Sequence, residues 1–425
     1  RYDSDTGHLS HIVNGERVIC VSFDAMGRLI ERRASQGEKS QSERFIYDGN
    51  GNLIEAANAD SRLQWFHDLA GNVLREHQHY LGLDQPSIVG VWQHEYDVLN
   101  NRVATVRPDG HRVSWLTYGS GHLLGLRLDE HELIGLERDD LHREIVRHQG
   151  NHLQQTQKWD SAGRLQEQVL GRSEDGATLV KRTYQYDAAG QLTAINDTRR
   201  GAISYRYDPL GRLLEAATRQ VVETFTFDPA SNLLDEKASE IRRPLDRSPR
   251  QERQVDNLLH EYEGNQFTYD ERGNLVERLQ NNQRSFLQWD LFDRLVRFED
   301  QRLSVEIAYD ALGRRLHKNS VAHSKGRPEA GSHWNRNEHA RIQREYGCGF
   351  TLYGWDGNRL AWESSAAQLD GGAGRTVHYI FEPGSFIPVA QAIRHAPITL
   401  TNQPEYQGEY SLDDDPLWNR KVTVQ

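Results

Sequence analysis

The residues best placed to do chemistry in this chain are scattered histidines, carboxylates and glycines. His77-Gln78-His79 sets two imidazoles at i and i+2. On a strand that spacing puts His77 and His79 on one face, where they could share a metal ion. A solvated strand face is the simpler account of the same pattern. His131-Glu132-Leu133-Ile134-Gly135 starts as a zinc-protease helix would, but the second His is missing. Gly171 to Gly176 has phosphate-loop spacing, with Ala177 where that loop needs Lys. No Gly-x-Ser-x-Gly elbow occurs, and no carboxylate pair stands out from the rest. The sequence therefore designates no catalytic residue, no cofactor-binding residue and no cofactor.

Composition explains why so little is singled out. The 425 residues contain 62 Asp and Glu against 51 Lys and Arg, a net charge of −11. Nucleic-acid binding is driven by neutralising phosphates, so an acidic chain is a poor reader of DNA or RNA. Only 36% of the residues are apolar, yet there are 17 Tyr, 12 Phe and 9 Trp. An unfolded, solvating chain has no use for so many aromatic rings. A sheet wound into a hollow shell, with one thin apolar layer, fits both numbers. Two cysteines, Cys20 and Cys348, make no disulfide framework and point to synthesis in a reducing compartment. No apolar run approaches the roughly 20 residues a membrane-spanning helix needs. Arg1 opens the chain and its one Met is Met26, so it reads as an internal piece.

A short motif then decides the fold: aromatic, Asp, two variable residues, Gly, a polar residue, Leu. Its copies place Asp24 with Gly27, Asp48 with Gly51, Asp160 with Gly163 and Asp187 with Gly190. Asp208 with Gly211, Asp270 with Gly273 and Asp310 with Gly313 follow, the last with Leu316 one residue late. Variants carry Asn100, Ser231 or Asp293 at the Gly position. From Tyr186 the motif starts fall at 207, 227, 269, 289 and 309, steps of 21, 20, 42, 20 and 20. Fixed-period self-similarity marks a repeat architecture. Asp-x-x-Gly composes a type I turn followed by a left-handed residue, as in a bulged hairpin. The flanks alternate, as in Tyr205-Arg206-Tyr207 and Phe267-Thr268-Tyr269, so each period is one hairpin. A lone hairpin is marginal, and the repeats must pair laterally into a long sheet.

The pattern breaks at about 235–257, rich in Arg and Pro, at 318–345 and at 365–375. All three read as inserted loops between hairpins within a repeat region spanning 1–393. The tail 394–425 loses the repeat, and its Asp413-Asp414-Asp415-Pro416 reads as an exposed turn.

Tandem motifs of this form resemble the YD-repeat, or Rhs, family. Tyr353-Gly354-Trp355-Asp356-Gly357-Asn358-Arg359-Leu360 and His378-Tyr379-Ile380-Phe381-Glu382-Pro383-Gly384 are similar to the late part of the bacterial Rhs core. The resemblance implies an all-β fold, a spiral of antiparallel hairpins forming part of a β-cocoon around a C-terminal toxin. It implies a shell protein of polymorphic toxins, delivered into target cells by type VI secretion in interbacterial competition. Its partners would be its own toxin domain, the rest of the Rhs core and a secretion-tip or adaptor protein. The family's self-cleaving Asp-Pro-x-Gly-Leu centre has no counterpart here. Asp208-Pro209-Leu210-Gly211 is in phase with the repeat and reads as a turn, while Asp415-Pro416-Leu417-Trp418 lacks the Gly. The alternatives are the C component of an insecticidal Tc-like complex and a surface YD-repeat adhesin that binds carbohydrate or protein.

Overall fold

Alternating flanks and Asp-x-x-Gly turns fold as the hairpins they predict. The computed structural model describes residues 1–2, 7–83, 88–234, 254–255, 258–262, 264–366 and 374–400. Most of the inserts at 235–257 and 365–375, and the tail from 401 with Asp413 to Pro416, lie outside the described residues. Strand follows strand in antiparallel ladders between sequence neighbours, as in Lys39–Tyr47 with Leu53–Ala57 and Leu303–Tyr309 with Arg315–Ala322. The repeats are carried by two compact units. One comprises residues 1–113 with 264–425, and the other residues 114–263.

Each turn closes with the same register. The motif aromatic pairs with the residue six positions on, and the next residue bulges out of the ladder. Tyr186 pairs with Leu192 and Gln185 with Ala194, and Tyr207 with Leu213 and Arg206 with Glu215. The late Leu of the last copy now has a reason. Arg315 takes the paired position opposite Tyr309, and Leu316 sits at the bulge, 3% exposed in an apolar cluster.

The insert at 318–345 is not a loop throughout. The strand Arg315–Ala322 runs into it, and a helix fills Gly331–Glu345 after a short 3-10 turn at Pro328–Ala330. Its Gly and Pro residues all precede or open the helix, and the following stretch has neither. None of its residues is buried, so it shows no apolar stripe from which a helix is usually read. It is held locally instead, by Arg341 bridging Glu338 at 2.9 Å and Glu345 at 2.8 Å.

Candidate functional site: turns and a buried seam

The motif Asp is the hub of each turn. The amide of the Gly three residues on donates to its carbonyl at 3.0–3.1 Å in the seven full copies. Its Oδ1 accepts the amide four residues on at 2.8–2.9 Å. The Gly residues hold φ of 78–93°, a left-handed conformation that costs a branched side chain dearly. Asn100, Ser231 and Asp293 occupy the same position at φ 61–68°. Asp208-Pro209 is one of these turns.

The polar residue after the Gly, generic in the sequence pattern, has a specific duty. Arg28, Arg164, Arg212 and Arg294 each clamp their own Asp Oδ2 at 2.6–2.8 Å. Each also lies over the aromatic ring of the next repeat, 4.8–5.4 Å from its centroid. The Arg212 amide and then its guanidinium hold the Asp208 carboxyl below its ordinary range. At Asp48 the side-chain amide of Asn52 does the same. The aromatic reaches the other way. Tyr186, Tyr207 and Tyr309 hydroxyls donate to the carbonyls of Leu165, Leu192 and Leu295 at 2.8–2.9 Å. Neighbouring hairpins are thus stitched by side chains as well as by ladders. Recurrence of Arg or Asn one residue after the Gly was the signal available in the sequence.

His77 and His79 lie side by side on Val73–Tyr80, with ring centroids 6.2 Å apart. The face is not solvated: His77 is 1% exposed, and burial pushes its pKa down to about 3. Burial also lowers the pKa of His79, whose Nε2 meets Gln64 Oε1 at 3.1 Å. Among the described residues, no three His, Cys, Asp or Glu side chains converge as a metal site.

The strand is buried because it lies on a seam. Within the first unit, residues 11–113 meet residues 264–400 in the same order along both. Arg17 Nη1 donates to Leu291 O at 3.0 Å and Asp293 Oδ2 at 2.6 Å. Gln41 Oε1 accepts Leu291 N at 2.8 Å, and Asn58 Nδ2 reaches Tyr309 O at 2.9 Å. Glu43, 1% exposed, is held by Arg294 at 2.8 Å and by Arg32. Farther on, Gln78 Nε2 donates to Trp355 O at 2.6 Å and Tyr80 Oη to Tyr353 O at 2.8 Å. Arg102 grips Asp356 with two 2.7 Å bonds. Against the cost of burial, Arg102 holds the Asp356 carboxyl far below its ordinary range. Two apolar clusters lie along the same line: Phe45, Ala56, Leu63 and Ala311, then Tyr80, Trp92, Leu316, Leu352, Ala361 and Trp362.

At its end the seam closes on a polar knot the sequence did not announce. The turn at Arg107-Pro108-Asp109-Gly110 has Arg where the motif has Asp. Arg107 extends across the seam to Ala361 O at 2.9 Å, Tyr379 O at 2.8 Å and His378 Nδ1 at 3.1 Å. Asp109 Oδ2 lies 3.4 Å from His378 Nε2, both side chains almost fully buried. Burial lowers the Arg107 pKa to about 10 and that of His378 to about 4. What this group does is fasten two runs of hairpins.

Known proteins resemble this chain. Residues 127–325 match the Teneurin YD-shell family. Toxin protein Tse5 of Pseudomonas aeruginosa is 31% identical over 405 residues, 86% of this chain and 28% of its own length. Double-stranded DNA deaminase toxin A of Burkholderia cenocepacia is 36% identical over 240 residues, 53% of this chain and 16% of its own. The chain thus spans under a third of either relative. Among solved structures, the Photorhabdus luminescens Tc holotoxin pore aligns over 88% of this chain and 22% of its own, with a TM-score of 0.56 at 14% identity. The TcdB2–TccC3 complex aligns over 87% and 22%, with a TM-score of 0.54 at 14% identity. At that identity the likeness is one of fold.

Proposed function

Starting from a chain that is a YD-repeat shell protein of the Rhs type, we propose that it forms part of a wall that encloses and delivers a C-terminal toxin. The observation that carries the reading is the seam. Two runs of hairpins, 250–277 residues apart in sequence at their hydrogen-bonded contacts, lie in the same order and are fastened by buried groups. Courses laid side by side in this way make a wall, whereas a binding surface needs only one.

The relatives' names support a division of labour. One is named a toxin protein and the other a double-stranded DNA deaminase toxin. Activities that differ while this region is shared belong elsewhere in those chains. In our reading the wall is not an enzyme. Its partners are its own toxin domain, the remaining Rhs core and a secretion-tip or adaptor protein. It is made in the bacterial cytoplasm and delivered into target cells by type VI secretion.

The test is retention. The toxin is co-expressed with the wall, the covalent link is cut, and the mixture is run through size exclusion at 1 M salt. Surface ion pairs are screened there on a Debye length of ~3 Å, so only enclosure or apolar contact keeps the two together. Co-elution is expected. Free elution of the toxin from a folded wall sinks enclosure and favours the adhesin.

A further inference from the structure

The seam contains two buried histidines that face arginines, and the hydrogen bond of His378 leaves no room for a second proton. His378, on Arg375–Phe381, presents Nδ1 to Arg107 Nη1 at 3.1 Å across the seam. A guanidinium can only donate, so Nδ1 must accept, the ring is neutral, and its remaining hydrogen sits on Nε2 toward Asp109. His94, on Ile88–Tyr96, has Nδ1 2.9 Å from the Thr105 hydroxyl and 3.5 Å from Arg102 Nη1. Arg102 is the residue that crosses the seam to Asp356. Both histidines are 5% exposed.

We propose that the seam is an acid-sensitive latch, which opens when His378 and His94 take up protons. A proton on His378 Nδ1 would point a donor at a donor, cation against cation. The groups facing His378 are Arg107, Asp109 and His111 from the early turn and Arg394 from the next strand. Asp109 meets Nε2, which carries a hydrogen in either state, so it supplies no acceptor for the new one. Around His94 stand Arg102, Asp356 and Arg359. Asp356 favours the charged ring, but its oxygens are already gripped by both arginines.

The sign follows from proton linkage. A histidine in an opened, hydrated seam titrates near its ordinary value of about 6.5, while in the closed seam burial lowers His378 to about 4 and His94 to about 3. Closure is fully stabilised above about 6.5 and weakens as pH falls toward those lower values. From pH 7 to pH 5 the opening constant should rise roughly 20-fold per histidine, and several hundred-fold for two independent ones. The latch does not depend on the presence of a cargo and is read on this chain alone. In a shell it would loosen the wall in an acidic compartment.

Hydrogen exchange followed by mass spectrometry at pH 7, 6 and 5, corrected for the intrinsic exchange rate, tests it. Peptides from 102–112 and 375–381 should lose protection on acidification, while those from 192–217, which contain no histidine, should change far less. The logarithm of the opening constant should fall with pH at a slope approaching two protons between pH 6 and 5, or three if opening also hydrates His77. In His378→Asn with His94→Asn, the amide oxygen replaces the Nδ1 acceptor and cannot titrate, so the slope should flatten. A seam equally protected at pH 7 and 5, or a double variant with the wild-type slope, overturns the latch. If the variants lose their β circular dichroism at pH 7, the wild-type slope decides alone, and a value below one proton overturns it.

Discussion

Gly190 and Ala189 stand side by side in one turn, and the fold treats them differently. Gly190 is left-handed at φ 83°, and a Cβ there would meet only the Arg164 side chain, at 3.8 Å. Any cost of substitution is therefore backbone strain. Gly190→Val should lose ~1–3 kcal/mol and Ala189→Val close to nothing, read as melting temperatures. Gly190→Asn should fall near wild type, since Asn100 holds the equivalent place at φ 63°. Equal melting temperatures for the two Val variants would sink this register. Asp and Gly were legible because they recur. The turn at 107–110 was not, because Arg107 replaces the Asp and only burial shows why. At the seam, Asp356→Ala leaves Arg102 charged with its side chain only 18% exposed, which should cost ~3–5 kcal/mol in denaturant unfolding. Replacing both Arg102 and Asp356 with Leu should recover only part of that, because Arg359 still loses its carboxylate partner.

At the scale of strands and helices, alternation located the hairpins and the motif phase located their turns. What it could not supply was the meaning of an unalternating strand. Gly354, in Gly349–Asp356, pairs with Trp362, and a Cβ on it would fall 2.0 Å from the indole. Trp362 is fully buried in the cluster with Tyr80 and Trp92, so it has nowhere to move. Gly354→Ala should cost at least the ~1–3 kcal/mol typical of overpacking, with a changed tryptophan emission. Unaltered emission and stability would contradict the cross-strand packing. The helix Gly331–Glu345 was missed for the opposite reason: with no buried face, its periodicity carries no apolar signal. Its polar exposure was legible, its conformation was not. Circular dichroism should nonetheless be dominated by β structure, with helix well under a fifth of the signal.

For the whole molecule, the repeat predicted hairpins and the family resemblance predicted a wall, but neither predicted which hairpins meet. That depends on where the chain comes back alongside itself, and a 20-residue period is silent about contacts some 250 residues apart. The pairings rest on single residues such as Arg17, Glu43, Tyr80 and Arg102, each ordinary in its own repeat. Because these groups are buried, the seam should hold in 1 M salt, with denaturation midpoints little changed from low salt. The central claim, that this wall encloses a toxin, is tested most directly by limited proteolysis of the full-length protein, with toxin and wall peptides followed separately across a denaturant series. Enclosure predicts that toxin peptides appear only as the wall unfolds, with one shared midpoint. Toxin cut to completion while the wall remains intact would contradict it.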